Sequence, residues 1–512
     1  MLTALLISGC MVGPNFKAPK VQLTTSYQTY GGNLQNGPTD SPSWWTNFND
    51  PVLTYLIQIG YQNNLSLHVA GVRVLQARAQ LAASVGELYP QQQSISGSYD
   101  YERISEGAPA FIPGSQTSFH IAELGLGANW EIDFWGKYRR AVQANDASFL
   151  GSIEAYRAAL VSLTSSIAQA YINIRTLQVQ IQVANSNIII QTEGLRIANA
   201  QYNAGQTGLL DVEQAQTQLG ITQASLPNLE AQLGTQKDAL AVLLGTTPDN
   251  VDPLLTPGNI PQPPASVAVG IPKDLLRQRP DVVEAEYAAA TQSALLGVSK
   301  AQLYPALSLS GTFGFESSDR TGAKVGDLFN WSDRAVSFGP SVQIPVFNYG
   351  QLTNQVRSQD AAFEQSILTY QNTVLQAQQQ VQDAITNYIQ SQNAVMALSG
   401  AAQSAIESTK LAMIKYIDGA TDYTTVLTAE QAQLQVQNSL AIAQGNVPIS
   451  LVQLYSALGG GWQISQGHDV VPESIKAEMR ARTNWGRLLA PQNHAAPTSK
   501  AMQFKQTYVP TW

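Results

Sequence analysis

One cysteine, Cys10, stands among 512 residues, so disulfides within the chain and sites built on paired thiolates are excluded. Charge is scarce as well: 12% of residues are Asp, Glu, Lys or Arg, and they sum to a formal −8. Nucleic acid is thereby excluded as a partner, because neutralising phosphates takes clustered Lys and Arg and no cluster occurs. Beyond the N-terminus no run of about 18 apolar residues exists, which rules out a transmembrane helix and leaves strands or a lipid for any attachment to a membrane. The histidines His68, His120, His468 and His494 are scattered. No phosphate loop, dinucleotide fingerprint or His-Glu-x-x-His helix accompanies them, so neither catalysis nor a metal centre has a local signal. Proline is missing between Pro113 and Pro227 and between Pro345 and Pro448, which leaves two long stretches with no steric bar to a helix.

What is present is a pattern written twice. Leu88-Tyr89-Pro90, Ser96-Gly97, Gln201-Tyr202-Asn203-Ala204-Gly205, Asp211-Val212 and Leu244-Gly245 are echoed by Leu303-Tyr304-Pro305, Ser310-Gly311, Lys415-Tyr416-Ile417-Asp418-Gly419, Thr425-Val426 and Leu458-Gly459. Tyr202 and Tyr416, Gly205 and Gly419, Val212 and Val426, Ala215 and Ala429, and Gly245 and Gly459 are all 214 positions apart. A tandem duplication keeps such registers, and each half is then one unit packed on its twin.

Each half opens with two alternating segments. Ala122, Leu124, Leu126, Ala128, Trp130, Ile132 and Phe134 interleave with Glu123, Gly125, Gly127, Asn129, Glu131 and Asp133; in the second half Val336, Phe338, Pro340, Val342, Ile344 and Val346 interleave with Ser337, Gly339, Ser341, Gln343 and Pro345. Ile95, Gly97, Tyr99 and Tyr101 likewise oppose Ser96, Ser98, Asp100 and Glu102, and Leu307, Leu309, Phe313 and Phe315 oppose Ser308, Ser310, Thr312 and Glu316. A period of two predicts strands over about 92–103, 118–134, 305–317 and 335–347, with one apolar and one polar face. A soluble sheet with one wet face is the bland account of such alternation. Against it, the segments come as two hairpins, each long enough to cross a bilayer as tilted strands, with carboxylates and glycines on the face suited to a watery lumen. Four strands cannot close a barrel, and open edges in lipid leave backbone groups unpaired. The protomer must therefore assemble, and strand number alone permits a dimer of eight strands or a trimer of twelve.

The proline-free stretches carry heptad-like seams: Leu160, Leu163, Ile167, Ala170, Ile174, Leu177, Ile181, Ala184 and Ile188 in the first, and Val374, Val381, Tyr388, Val395 and Ala402 in the second. A helix from Lys137 to Asn203 would run roughly 100 Å. Shorter helices are expected at about 50–88, 209–244, 272–304 and 423–457. A coiled-coil rod without a channel is the plain reading of heptads; with the strands, the helices form a tube continuing a barrel. Gly205, Gly208 and Gly419 mark the turns where the long helices reverse, and these lie at one end, where a gate would sit. The tail beyond Trp462, with Pro472, Pro491, Pro497 and Pro510, reads as irregular.

At the other extreme, Leu5-Leu6-Ile7-Ser8-Gly9 ends an apolar run in small residues, as export signals do. Ile7-Ser8-Gly9-Cys10 resembles a bacterial lipobox, in which the Cys thiol is diacylated and becomes the first mature residue. Residues 1–9 carry no Lys or Arg and read as the remnant of a longer signal.

Cys10-Met11-Val12-Gly13-Pro14-Asn15-Phe16, Trp44-Trp45 with Phe48-Asn49-Asp50-Pro51, Arg279-Pro280-Asp281-Val282, Leu303-Tyr304-Pro305-Ala306-Leu307-Ser308 and Leu458-Gly459-Gly460-Gly461-Trp462 resemble the TolC-like outer membrane efflux family, in its lipoprotein (NodT-like, OprM-like) branch. The resemblance spans about residues 10–462. It implies a membrane α+β protein: a homotrimer with a twelve-stranded transmembrane β-barrel in the outer membrane, a long periplasmic α-helical barrel, and an equatorial domain from the chain ends and the inter-repeat segment. The expected division is a signal remnant (1–9), an N-terminal lipoprotein and equatorial segment (10–49), repeats 1 (50–260) and 2 (261–462), and the tail (463–512). The implied function is a passive duct for drugs or other small molecules, working with a periplasmic adaptor and an inner-membrane pump of RND type. No cofactor is expected beyond the lipid on Cys10. A structural or adhesive coiled-coil lipoprotein is the alternative, and it needs no lipid-facing strands.

Family members often carry Asp at the positions matching Thr425 or Thr428 and Arg at Thr421 or Gln431, which form charged rings and links at the closed tip. Here these positions are uncharged. Asp211, Tyr416, Asp418 and Asp422, with Thr425 and Thr428, are the candidate gate residues, and Tyr416 is expected to make a closing hydrogen bond to a neighbouring helix pair with Asp211 as acceptor.

Overall fold

A computed structural model describes residues 11–21, 34–36, 43–109, 111–264, 267–269, 279–321 and 324–490. The chain folds around two helical hairpins of matching size. Helix α1 (Pro51–Asn63) starts at Asp50, whose carboxylate accepts from the amides of Val52 (2.9 Å) and Leu53 (3.0 Å), with proline at the first helical position. Helix α2 (Leu65–Gly86) follows at once. The single helix expected over about 50–88 is thus broken at Asn64, because its side chain turns inward to cap α2 at Leu67 N (2.8 Å) and to donate to Leu243 O (2.9 Å). Strands β2 (Gln92–Arg103) and β3 (Ser118–Ile132) lead into α3 (Lys137–Asn203), 67 residues long, which reverses into α4 (Leu209–Leu244). The second half runs through α5 (Pro280–Ala301), β5 (Ala306–Ser318), β6 (Arg334–Gln343), α6 (Gln351–Ile417), again 67 residues, and α7 (Tyr423–Ala457). At 1.5 Å per residue each long helix spans roughly 100 Å.

Strands β2, β3, β5 and β6 form one antiparallel sheet in that order. Two three-residue strands, β1 (Leu34–Asn36) and β4 (Val267–Val269), pair in parallel and join the N-terminal segment to the segment between the halves.

The main core lies midway along the helices. Trp44 stacks on Tyr455 with centroids 5.5 Å apart, and Leu53, Leu56 and Ile57 meet Leu160, Ile167, Val381, Ile385, Tyr388 and Leu454 there, all nearly inaccessible. Several of these are the seam positions read from the heptads. Each fully buried Leu or Ile contributes about 1.5–3 kcal/mol, which is why order concentrates at this belt.

The tail is not irregular over its described part. Residues 463–490 wrap this belt: Val470, Val471, Met479 and Leu489 enter the core, α8 (Glu473–Arg482) forms, and buried Lys476 pairs with Asp469. Arg78 donates to Leu488 O and Ala490 O (3.2 Å for the latter). Polar composition hid these scattered apolar anchors, which gain their value only from tertiary burial. Residues 491–512 lie outside the described residues. No helix among the described residues is long and apolar enough to cross a membrane.

Candidate functional site

The sheet register settles which residues share a face, since directly opposed residues in an antiparallel pair point the same way. Ile95 opposes Leu126, which opposes Phe313, which opposes Val336; Gly97, Leu124 and Phe315 form the next row, and Trp130, Leu309 and Pro340 another. Ser96 with Gly125 and Gly314, and Ser98 with Glu123 and Glu316, make the other face. One apolar row, Ile95 to Val336, crosses all four strands, while the Leu124 row ends on Arg334 and the Trp130 row spans three strands; the face is bare, with Ile95 75% exposed, Tyr99 65%, Val336 65% and Phe338 75%. Strands β2 and β6 are the free edges among the described residues. A sheet with an exposed apolar face and two open edges is unfinished in water and fits lipid on one side with further strands at its edges.

Below the sheet, Asp133 fixes the start of α3 by accepting from the amides of Tyr138 (3.0 Å) and Arg139 (2.9 Å). Buried Arg140, one turn on, clamps the N-terminal segment: its guanidinium donates to Val12 O, Gly13 O and Asn15 Oδ1, each at 3.0 Å. The amide of Val12 donates to Trp135 O (3.0 Å). Cys10 itself lies outside the described residues, but its neighbours Met11 and Val12 are held where strands give way to helices.

At the far end the two reversals are alike. Gly205 (φ 68°) and Gly419 (φ 70°) adopt the left-handed conformation that L-residues with a Cβ resist. Gly205 N donates to Tyr202 O and Gly419 N to Tyr416 O. Tyr416, 1% exposed, crosses from the second hairpin to the first: its hydroxyl donates to Asp211 Oδ2 over 3.1 Å. Gln201 Nε2 adds a bond to Tyr416 O (3.1 Å). Both links lie within one protomer. Tyr416 packs edge-on to Tyr423, and Ala198, Ala215, Ala412 and Val426 complete a small apolar plug. Burial raises the phenol of Tyr416 above its ordinary value.

The other tip residues stay apart from that link. Asp422 caps α7, accepting from Thr425 N (3.2 Å) and Thr425 Oγ1 (3.0 Å), and Thr421 Oγ1 donates to Thr425 Oγ1 (2.8 Å). Thr428 Oγ1 bonds back to Thr424 O (2.8 Å), and Asp418 is exposed at the end of α6.

Glu430 escaped sequence reading. It is 1% exposed on α7, neither carboxylate oxygen has a hydrogen-bond partner among the described residues, and burial pushes its carboxyl up to about 7. The signal was available: Tyr423, Val426, Glu430, Gln433 and Gln437 recur at steps of three and four, so Glu430 occupies a seam position where an apolar residue is the norm.

The profile of the family described as "Outer membrane efflux protein" matches residues 56–246 and 271–460. Nodulation protein T of Rhizobium leguminosarum bv. trifolii is 30% identical over 460 residues, covering 90% of this chain and 96% of its own length. Cation efflux system protein CusC of Escherichia coli is 27% identical over 472 residues, 90% of this chain and 97% of that protein. The solved structure of the outer-membrane channel OprN superposes with a TM-score of 0.81 at 29% identity, over 89% of this chain and 100% of that one.

Proposed function

Because the chain belongs to the outer membrane efflux protein family, we propose that it is the outer membrane duct of a tripartite efflux assembly, built as a homotrimer. In it, three four-stranded sheets close a twelve-stranded transmembrane barrel, and the paired hairpins continue it as a helical tube into the periplasm. The observation that carries this reading is the sheet: a largely apolar exposed face and two open edges, joined directly to helices roughly 100 Å long. A coiled-coil lipoprotein without a channel has no use for that face.

Tandem duplication from repeat 1 (50–260) to repeat 2 (261–462) is supported by the two profile matches and by left-handed glycines in three register-keeping pairs, Gly136 and Gly350, Gly205 and Gly419, and Gly245 and Gly459. The equatorial belt draws on residues 10–49, the inter-repeat segment and the tail. Lipidation at Cys10 is supported by the Arg140 clamp, which holds the adjoining residues at the foot of the sheet, within reach of the inner leaflet. Asp211 and Tyr416 form the gate link, and Asp418 and Asp422, with Thr425 and Thr428, line its mouth.

The partners are a periplasmic adaptor and an inner-membrane pump of RND type. Relatives bear names as different as nodulation and cation efflux, so cargo choice belongs to the pump, and the duct carries what it is given. Assembly is tested by cysteines scanned along β2 and β6. If the edges meet between protomers, some pairs fall within the 7 Å or so that a disulfide needs and yield cross-linked trimers of the 55.1 kDa chain. A conducting species that light scattering shows to be monomeric would refute it.

A further inference from the structure

Behind the Tyr416–Asp211 link the two hairpins are joined by a polar pocket whose atoms do not satisfy one another. Among the described residues, Gln191 on α3, 1% exposed, leaves both amide atoms unpaired, and Tyr423 Oη and both oxygens of Glu430 on α7 are also unpaired and buried. They belong to one seam. A Cβ built on Gly194 would stand 3.1 Å from Tyr423 Oη and 3.3 Å from Glu430 Oε1, so the room for both groups exists because residue 194 has no side chain. One turn away along α3, Asn187 bonds to Gln437 (2.8 Å) and to Gln433 (3.5 Å), which places Gln191 between those contacts and Glu430. Five orphan polar atoms in one buried seam are unusual, since buried polar groups are almost always paired.

We propose that this pocket is a proton-binding site that couples pH to the tip: with Glu430 protonated the seam closes, and with Glu430 ionised the hairpins separate and the gate opens. The proposal rests on reading the tip as the gate.

The chemistry favours a proton over a counter-ion from the protein. Facing groups on α3 are the neutral Asn187, Gln191 and Gly194; on α6 they are Met413 and Tyr416; Tyr423 lies on the same helix as Glu430, and Asp211 on α4 reaches the seam through Tyr416 and Tyr423. The pairs Glu193–Arg196 and Glu407–Lys410 are spent on the exposed surface. Among the described residues no cation therefore compensates an ionised Glu430, and its charge would sit buried beside Tyr423, an arrangement that is costly. Protonated, the carboxyl gains a donor that Gln191 Oε1 or Tyr423 Oη can accept.

The sign follows from linkage. Burial raises the closed-state carboxyl to about 7 from its ordinary 4.5, so the closed state holds the proton more tightly than a hydrated, open one. Closure is fully supported below the hydrated value, and that support drains away as pH climbs through the closed-state value. For complete hydration on opening, the closed-to-open ratio falls by roughly thirtyfold per protomer between about pH 5.5 and about pH 8.5.

The test is single-channel recording of the wild-type trimer and of Glu430→Gln across that range, with trimer mass checked for both. The expected result is open probability rising with pH in the wild type and staying low and flat in Glu430→Gln, together with loss in the variant of the infrared carbonyl band of a protonated carboxyl that titrates in the wild type. A current whose pH dependence is the same in both proteins overturns the proposal and leaves the duct reading intact; no current at any pH overturns the proposal, and the duct reading falls with it only when trimers carrying Tyr416→Phe and Asp211→Ala are silent too. Should Glu430→Gln fail to assemble, hydrogen exchange at residues 205–211 and 419–426 of the wild type, corrected for intrinsic rate, takes its place. Protection that falls as pH rises supports the proposal, and constant protection overturns it.

Discussion

Removing the Tyr416 hydroxyl isolates one link between the hairpins. Tyr416→Phe deletes the donor that reaches Asp211 Oδ2 over 3.1 Å and keeps the ring, which packs on Tyr423 with centroids 5.2 Å apart at 74°. A hydrogen bond to a charged acceptor contributes about 1.5–3 kcal/mol. Asp211 is only half-buried, so water can replace the lost donor and the net effect falls to about 1 kcal/mol per protomer. In a trimer that opens as a unit, three such losses total about 3 kcal/mol, or roughly a hundredfold in the closed-to-open ratio. Single-channel recording in planar bilayers at constant pH reads this directly. Open probability and mean conductance are expected to rise in Tyr416→Phe and to change little more when Asp211→Ala is added, because both substitutions cut the same bond. If both variants conduct as the wild type does, the constriction lies elsewhere and the gate assignment fails.

Thr428→Asp adds a ring of three carboxylates at the exposed mouth and should raise cation preference, measured as a shifted reversal potential under a salt gradient, without raising conductance. Gly71→Ala places a Cβ 2.2 Å from Val470 O; overpacking of this kind costs about 1–3 kcal/mol and should lower the melting temperature by loosening the tail, whereas an unchanged melt with normal tail protection would show that residues 463–490 are not anchored there. Cys10→Ser, expressed behind a lipoprotein export signal, should lack the acyl chains proposed for Cys10 by mass spectrometry while the protein stays in the membrane through the proposed barrel; a wholly soluble variant would contradict the barrel.

Much of this architecture was legible because two periods dominate the chain. Period two in Ala122 to Ile132 and in Leu307 to Phe315 gave strands whose faces the register bears out row by row, and the proline-free seams gave the long helix Lys137–Asn203 to the residue. What escaped reading depends on contacts between distant segments. Asn64 breaks a continuous helical pattern because Leu243 O accepts its amide. The tail folds because Val470, Val471 and Leu489 find a core made by other helices. The gate link was legible as a pair, Tyr416 with Asp211, since turn residues repeat in both halves. The carboxyl behind it is marked only by its place in the seam of Tyr423, Val426, Glu430, Gln433 and Gln437, which is mostly polar and so tells of burial only once the facing helix is known.

A duct passes ions and a rod does not. Purified trimers carrying Tyr416→Phe and Asp211→Ala, so that a shut gate cannot mask the pore, should insert into a planar bilayer and produce discrete, long-lived current steps of uniform size. Trimers of the correct mass that insert through their strands and carry no current would contradict the duct and leave a coiled-coil lipoprotein of the envelope in its place.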